Sequence, residues 1–401
     1  MIGRAAHRLL LVIATVVGSA SCGAGPSAGP AVSPPNWGAV AVDEVVADLA
    51  PAGRTQTLRV PVRAPDGATA ILVAPIGASD DGYCFQLEAV VDGHGTALVA
   101  AADNRLEWGR TCYACSQRVG VGHGFGWFIL PNDGIEHDFG DHFDLVVSAR
   151  DCATLLPIDT SFEQGAPGAV RVRAFAFATK RRPVALDLFA AYTDDSGLAG
   201  PGVRNWLARV VELAGAYFPP DAPTLVLRGS ASLGMAPGAV RFGDGEQAAL
   251  DKIHRAAWAA AGQSGVDTTS MGLVLFATCL KHIGPDGAAT ETQGYSPRIP
   301  GGGGDGTFAD GVFVSASGCG AGALTATPER AAKILAHELG HFLGLYHTVE
   351  ASGAQDLLPD TDSTNLMSYL PDAMGNSGLS PMQVLVMRQH PYVHGRALSP
   401  D

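Results

Sequence analysis

Residues 337–347 read HELGHFLGLYH, and this stretch restricts the possible folds of the chain more than any other. His337 and His341 are four residues apart. On an α-helix they project from one face about one turn apart, within reach of a single ion. The residues before them give that helix a beginning: Thr327 suits the N-cap, Pro328 the first helical position, and Glu329 the positive end of the helix dipole. Ala331, Ile334, Leu335, Leu339 and Phe342 supply an apolar stripe. Gly344 admits the left-handed backbone that ends a helix, so the chain can turn and bring back His347 as a third nitrogen ligand. Three protein ligands leave one position open, which marks a catalytic rather than a structural zinc site. Glu338 follows His337 directly and points to a different side of the helix, placed to take a proton from a zinc-bound water rather than to bind the metal. A lone histidine on a helix is ordinarily structural. Five matching positions of H-E-x-x-H-x-x-G-x-x-H on one capped helix are not explained that way.

The chain around this helix has two rhythms. From residue 45 to 180 it reads as short β-runs, at 57–63, 69–75, 85–91, 125–130, 142–149 and 169–177, separated by Gly, Asp and Pro turns. That pattern predicts an all-β, sandwich-like domain. Within it HDFGDH (137–142) gathers His137, Asp138, Asp141 and His142; a polar turn before a strand accounts for them better than a second metal site. ATKRRP (178–183) is the join. After it come a strand at 184–192, a helix at 202–218, a strand at 223–230 and a helix at 245–262 ending at Gly262. An almost wholly apolar strand comes next, at 271–278, the pattern of a strand covered on both faces. A glycine-rich loop (284–306) and a strand at 309–317 lead into the histidine helix. The second half, 183–395, therefore reads as a mixed sheet with helices, and the whole chain as α+β.

With 401 residues, 47% hydrophobic and 16% charged, the chain is long enough for two domains and has a globular composition. Its formal net charge of −13 argues against nucleic acid as a partner. Residues 1–22 carry a basic start, an apolar run too short to anchor stably across a bilayer, and small residues before Cys22. This resembles a bacterial lipoprotein signal, with Cys22 as the lipid attachment point, although Ser19 stands where that pattern usually has Leu. Residues 23–44 read as a flexible tether. The expected location is the bacterial outer membrane or cell surface, or otherwise secretion. Six further cysteines suit an oxidising compartment: Cys279 and Cys319 form the natural pair of the second half, while pairing among Cys84, Cys112, Cys115 and Cys152 stays open.

The zinc helix and the residues after it resemble the metzincin metallopeptidases. NLMSY (365–369) fits the methionine turn of that clan, with Met367 as the soft apolar floor beneath the imidazoles. GLYHTVE (344–350), LLPDTDSTNLMSYL (357–370) and LSPMQVLVMR (379–388) look most like the pappalysin/cytophagalysin family, over about residues 335–390. Members of that family typically carry cysteines around the methionine turn, and this chain has none there. The resemblance implies a metzincin-type catalytic domain with a twisted mixed sheet, zinc helix and methionine turn, acting on protein or peptide substrates. It implies that Tyr369 contacts the zinc or the oxyanion, and that the 309–317 strand is the sheet edge beside the cleft, where an extended substrate pairs. It also brings in Ca2+ as a further ion for Asp305, Asp310, Asp356, Asp360 and Asp362, for which solvated turn aspartates are the plainer account. The sequence thus reads as an exported, lipid-anchored zinc endopeptidase. The alternative is a non-enzymatic surface or adhesin lipoprotein with a vestigial or structural zinc site.

Overall fold

The structure is a computed structural model. It describes residues 42–49, 56–61, 69–75, 83–100, 117–118, 120–122, 125–151, 170–178 and 185–393, the last with short gaps at 199, 244–245, 269–270, 285, 302–309, 321–325, 351–352 and 370–376. The leader, Cys22, most of the tether, Asp305 and the cysteines at 112, 115 and 152 lie outside the described residues.

Among the described residues of the first half, nine strands form: β1 (Val42–Leu49), β2 (Gln56–Pro61), β3 (Thr69–Pro75), β4 (Tyr83–Asp92), β5 (Ala97–Ala100), β6 (Gly120–Gly122), β7 (Phe125–Ile129), β8 (His142–Asp151) and β9 (Val170–Ala178). They make two antiparallel sheets, ordered β1-β9-β3-β7-β6 and β2-β8-β4-β5. Six of the strands coincide with the apolar runs read from the sequence. β1 begins at Val42, inside the stretch read as tether, and pairs with β9 along its whole length. In the β2-β8-β4-β5 sheet Leu58, Val60, Phe143, Leu145 and Val147 are buried in strict alternation, and Leu87 and Val90 are buried on either side of a register shift in β4.

The second half is built on a five-stranded sheet. Its members are β10 (Ala185–Tyr192), β11 (Thr224–Ser232), β13 (Met271–Ala277), β16 (Gly294–Tyr295) and β17 (Gly311–Ser315), in the order β11-β10-β13-β17-β16. The first three and β17 run parallel, and β16 is antiparallel to β17. A small separate sheet joins β12 (Val240–Gly243), β14 (Leu280–Ile283) and β15 (Ala289–Thr292). The helices are α1 (Val203–Gly215), α2 (Gln247–Gln263), α3 (Pro328–Phe342) and α4 (Pro381–Met387).

Alternation along the central strands sorts the core into two layers. Val274 and Phe276 of β13, with Leu186 and Leu188 of β10, face α1 and α3. Leu273 and Leu275, with Phe189, face α2. All seven residues of β13 are buried, which is why its sequence is uninterruptedly apolar. Cys279 and Cys319 are joined in a disulfide that ties the end of β13 to the segment after β17.

One expectation is corrected by the sheet order. The 309–317 strand is not the sheet edge. β17 lies between β13 and β16, because the glycine-rich stretch read as a loop folds back and lays Gly294–Tyr295 along it. Two residues with a single aromatic carry too little periodicity to be read as a strand. The outer strand on that side is β16.

The first half also reaches the second. Ile129 at the end of β7 belongs to the core cluster of α1 and α3. The buried Arg118 lies 5.9 Å from the Tyr346 ring centre. No helix among the described residues is long and apolar enough to cross a membrane.

Candidate metal centre

α3 forms as its sequence demands. Thr327 accepts a hydrogen bond from the Arg330 N–H at 3.3 Å, Pro328 occupies the first turn, and Glu329 faces the positive end of the dipole. The helix stops at Phe342, and Gly344 has φ +105°, a region that L side chains rarely enter. The chain reverses there: the Leu345 N–H returns to the Gly340 carbonyl at 2.9 Å. This turn carries His347 back over the helix.

The result is a buried three-nitrogen cluster. Nε2 of His341 lies 3.1 Å from Nε2 of His337 and 3.1 Å from Nε2 of His347. Nδ1 of His337 is 2.8 Å from the Leu366 carbonyl oxygen, and Nδ1 of His341 is 2.7 Å from that of Leu345. A carbonyl oxygen only accepts, so both Nδ1 atoms carry the proton and both Nε2 atoms present lone pairs. Nδ1 of His347 meets the Glu350 carboxylate at 2.9 Å, which gives the same tautomer. Three lone pairs facing one another in a buried space repel unless a cation lies between them. Tetrahedral zinc with Zn–N of about 2.0–2.1 Å separates its nitrogens by about 3.3 Å, close to the spacing found. The donor set therefore fits zinc, and among the described residues this is the group of three or more ligand side chains that converges in this way.

Electrostatics agree with the geometry. Burial, then the neighbouring His347, push His337 down to about 3, with the bond to Leu366 opposing. Burial, then His347 and His337, push His341 well below its ordinary value. Both rings are thus neutral, the form that binds metal. Burial pushes Glu338 up to about 8. Its carboxylate rests on the backbone of Gly294 in β16, where a Cβ would lie 2.7 Å from Cδ. Burial, then Glu338, raise the Tyr295 phenol beside it. Glu338 is thus a buried carboxyl group of raised proton affinity next to His337 in the chain, a property shared by groups that transfer protons in active sites.

Met367 is buried beneath the helix, its sulfur against Gly340 and its Cε 3.0 Å from where a Cβ would stand. Any side chain at 340 would displace it. The turn is secured from both sides. The Thr348 N–H donates to the Met367 carbonyl at 3.0 Å, and the Met367 N–H donates to Oδ1 of Asn365 at 2.9 Å. Asn365 exchanges amide hydrogen bonds of 3.1 Å with Gln383 of α4. Gln383 in turn completes a capping box with Ser380. Tyr369 is half-buried, with its ring 6.2 Å from that of His347.

Among the described residues, the aspartates considered for Ca2+ form no converging group of three. Asp360 accepts from Ser380 and from the Met382 N–H at the start of α4, Asp362 accepts from Thr364, and Asp356 accepts from Thr361 and the Leu358 N–H. Asp310 is buried at the start of β17. In the first half, His137 pairs with Asp133 and His142 with Asp141, two separate local contacts. Sequence reasoning missed Glu350, Gly294, Asn365 and the role of Gln383. The His-x-x-Glu spacing at 347–350 was a visible signal for the first; the others depend on tertiary approach.

A buried three-histidine cluster on and just after a helix that also carries Glu338 is a candidate metal centre. Residues 313–387, from β17 to the end of α4, match the model of peptidase family M43, described as pregnancy-associated plasma protein-A. This match and the histidine site together support a zinc metallopeptidase of metzincin type. Curated proteins give no match. Among solved structures the chain is similar to metalloproteinase-II from Bacteroides fragilis, at 13% identity and TM-score 0.33, over 52% of this chain and 55% of that one. It thus spans about half the length of that relative. A family two carbohydrate esterase from Cellvibrio japonicus aligns at 9% identity and TM-score 0.17, over 78% of this chain and 96% of that one. At such scores neither likeness bears on the fold.

Proposed function

We propose that the chain is a zinc-dependent endopeptidase, exported and held at the bacterial outer membrane or cell surface through a lipid on Cys22. In this reading residues 45–180 form a β-sandwich-like module and 183–395 the catalytic domain. His337, His341 and His347 hold the metal. The observation that carries the reading is the set of three buried imidazoles, each with Nδ1 engaged and Nε2 turned to one point.

Zinc bound there supplies a Lewis acid that polarises the scissile carbonyl and acidifies a water molecule. The chain supplies the rest. Glu338 accepts the water's proton on its carboxylate and passes it to the leaving amine, and its burial raises the proton affinity needed for the first step. The Tyr369 phenol donates to the oxyanion. Met367 holds the floor beneath the imidazoles. An extended substrate pairs with β16, and main-chain hydrogen bonding along that edge gives affinity with little demand on sequence.

The test is cleavage of an unfolded protein by the full chain. Wild type should cleave, lose activity to a chelator and regain it with Zn2+. Glu338→Ala should retain zinc and lose about 10²–10⁴-fold in rate. Normal cleavage by that variant would overturn the mechanism. A wild type that holds stoichiometric zinc and cleaves nothing would indicate a surface protein with a structural site.

A further inference from the structure

The three histidines are not held alike. His337 and His341 give their Nδ1 protons to backbone carbonyls, which are neutral. His347 gives its proton to a carboxylate, Oε2 of Glu350, at 2.9 Å. His347 is wholly buried, and the Glu350 side chain is only 14% exposed.

The backbone around Glu350 is fixed. Its N–H donates to the Ala354 carbonyl at 2.8 Å, and its own carbonyl accepts from the Gly353 N–H at 2.8 Å. Gly353 has φ +84°, which closes this turn, and Val349 bridges Gln355 across it. The carboxylate therefore sits on a short, tightly bonded reversal three residues beyond the ligand. His347 needs such support most. His337 and His341 are set by the helix, whereas His347 lies on the irregular segment after Gly344, where the backbone alone does not fix the ring.

We propose that Glu350 is the positioning residue of the third ligand: it locks His347 in the tautomer that presents Nε2, and adds a negative charge that strengthens the site's hold on a divalent cation. This rests on the metal-centre reading given above. A carboxylate accepting the Nδ1 proton makes the imidazole a stronger donor through Nε2.

The test measures Zn2+ affinity of the full chain by chelator competition, for wild type, Glu350→Gln, Glu350→Ala and the exposed control Asp362→Asn. Far-UV circular dichroism confirms folding, and Co2+ absorption reports the ligand field. Glu350→Ala should bind Zn2+ about 10–100-fold more weakly. Glu350→Gln keeps a hydrogen-bond acceptor without the charge, so it should fall between Glu350→Ala and wild type, with a shifted Co2+ d–d band. Asp362→Asn should match wild type. Wild-type affinity and an unshifted band in both Glu350 variants would overturn the proposal and leave the metal centre intact. A wild type that binds no Zn2+ would overturn both.

Discussion

The carboxylate of Glu338 lies directly on the backbone of Gly294, with the space a Cβ would take filled by its Cγ and Cδ at 2.7 Å. A residue on the zinc helix and a residue on the outermost strand thus share one position, and only a missing side chain allows it. Gly294→Ala should push the carboxylate aside without touching the three histidines. Misplacement of a reacting group by about 1 Å can cost about 10²-fold in rate. Peptide cleavage should fall by about that factor with zinc content unchanged. Full activity would show that Glu338 is not the base or that its placement is not critical.

Asn365 and Gln383 form a reciprocal buried amide pair that fastens the methionine turn to α4. Gln383→Ala removes one of the partners of each amide group of Asn365, which keep Gly378 and Met367, and the side-chain half of the capping box at Ser380, whose hydroxyl still accepts the residue-383 N–H. The three side-chain hydrogen bonds that are lost contribute about 0.5–1.5 kcal/mol each. Denaturant titration should show a loss within that combined range. Because the turn also supplies the Leu366 carbonyl to His337, Zn2+ retention should weaken with it.

Asp356 gives the fold a definite pH response. Burial raises its carboxyl to about 6, against the opposing pull of Thr361, the Leu358 N–H and Arg118. A folded value above the unfolded one means that the folded state binds the proton more tightly. The stability this contributes is fully present below about 4 and is lost as the pH rises through about 6. Asp356→Asn removes that dependence. The variant should gain on wild type as the pH rises from 4 to 7, read from thermal midpoints across that range. Parallel profiles would contradict the assignment.

The Cys279–Cys319 bond closes a separation of 40 residues around β14, β15, β16 and β17. A loop of that length gives a stabilisation of about 2–4 kcal/mol. The double variant Cys279→Ser/Cys319→Ser should lose about that much in denaturant titration. Equal stability would mean that the link does not constrain the unfolded chain.

Sequence alone revealed the parts of the centre that obey local rules. The cap at Thr327, the four-residue spacing of His337 and His341 and the break at Gly344 are helix properties, and each is found in place. β13 was legible because burial on both faces leaves a continuous apolar run. β16 was not, since two residues carry no period, and its pairing with β17 is set by a loop closing over long range. For the same reason Gly294 looked like one glycine among 51; its importance comes from Glu338 arriving from another element. The amide pair of Asn365 and Gln383 and the approach of Arg118 to Tyr346 belong to that tertiary class as well. β1 was hidden by its position beside a polar tether, and its partner β9 lies more than a hundred residues away.

Arg118 and Ile129 make the first half a support for the turn that carries His347. At Gly344 a Cβ would lie 3.1 Å from the Ile129 side chain. Arg118 is buried and attracts Asp356. Arg118→Ala should therefore lower the thermal midpoint and speed loss of Zn2+ to a chelator, although it lies far from the metal ligands in sequence. Unchanged retention would show that the first half does not support the centre.

The most direct test of the central claim is X-ray absorption at the zinc edge on the purified full chain. The account predicts one zinc per chain, with three imidazole nitrogens at about 2.0–2.1 Å, and loss of that signature in His341→Ala. A chain that takes up no zinc, or zinc whose signature persists in that variant, would contradict it.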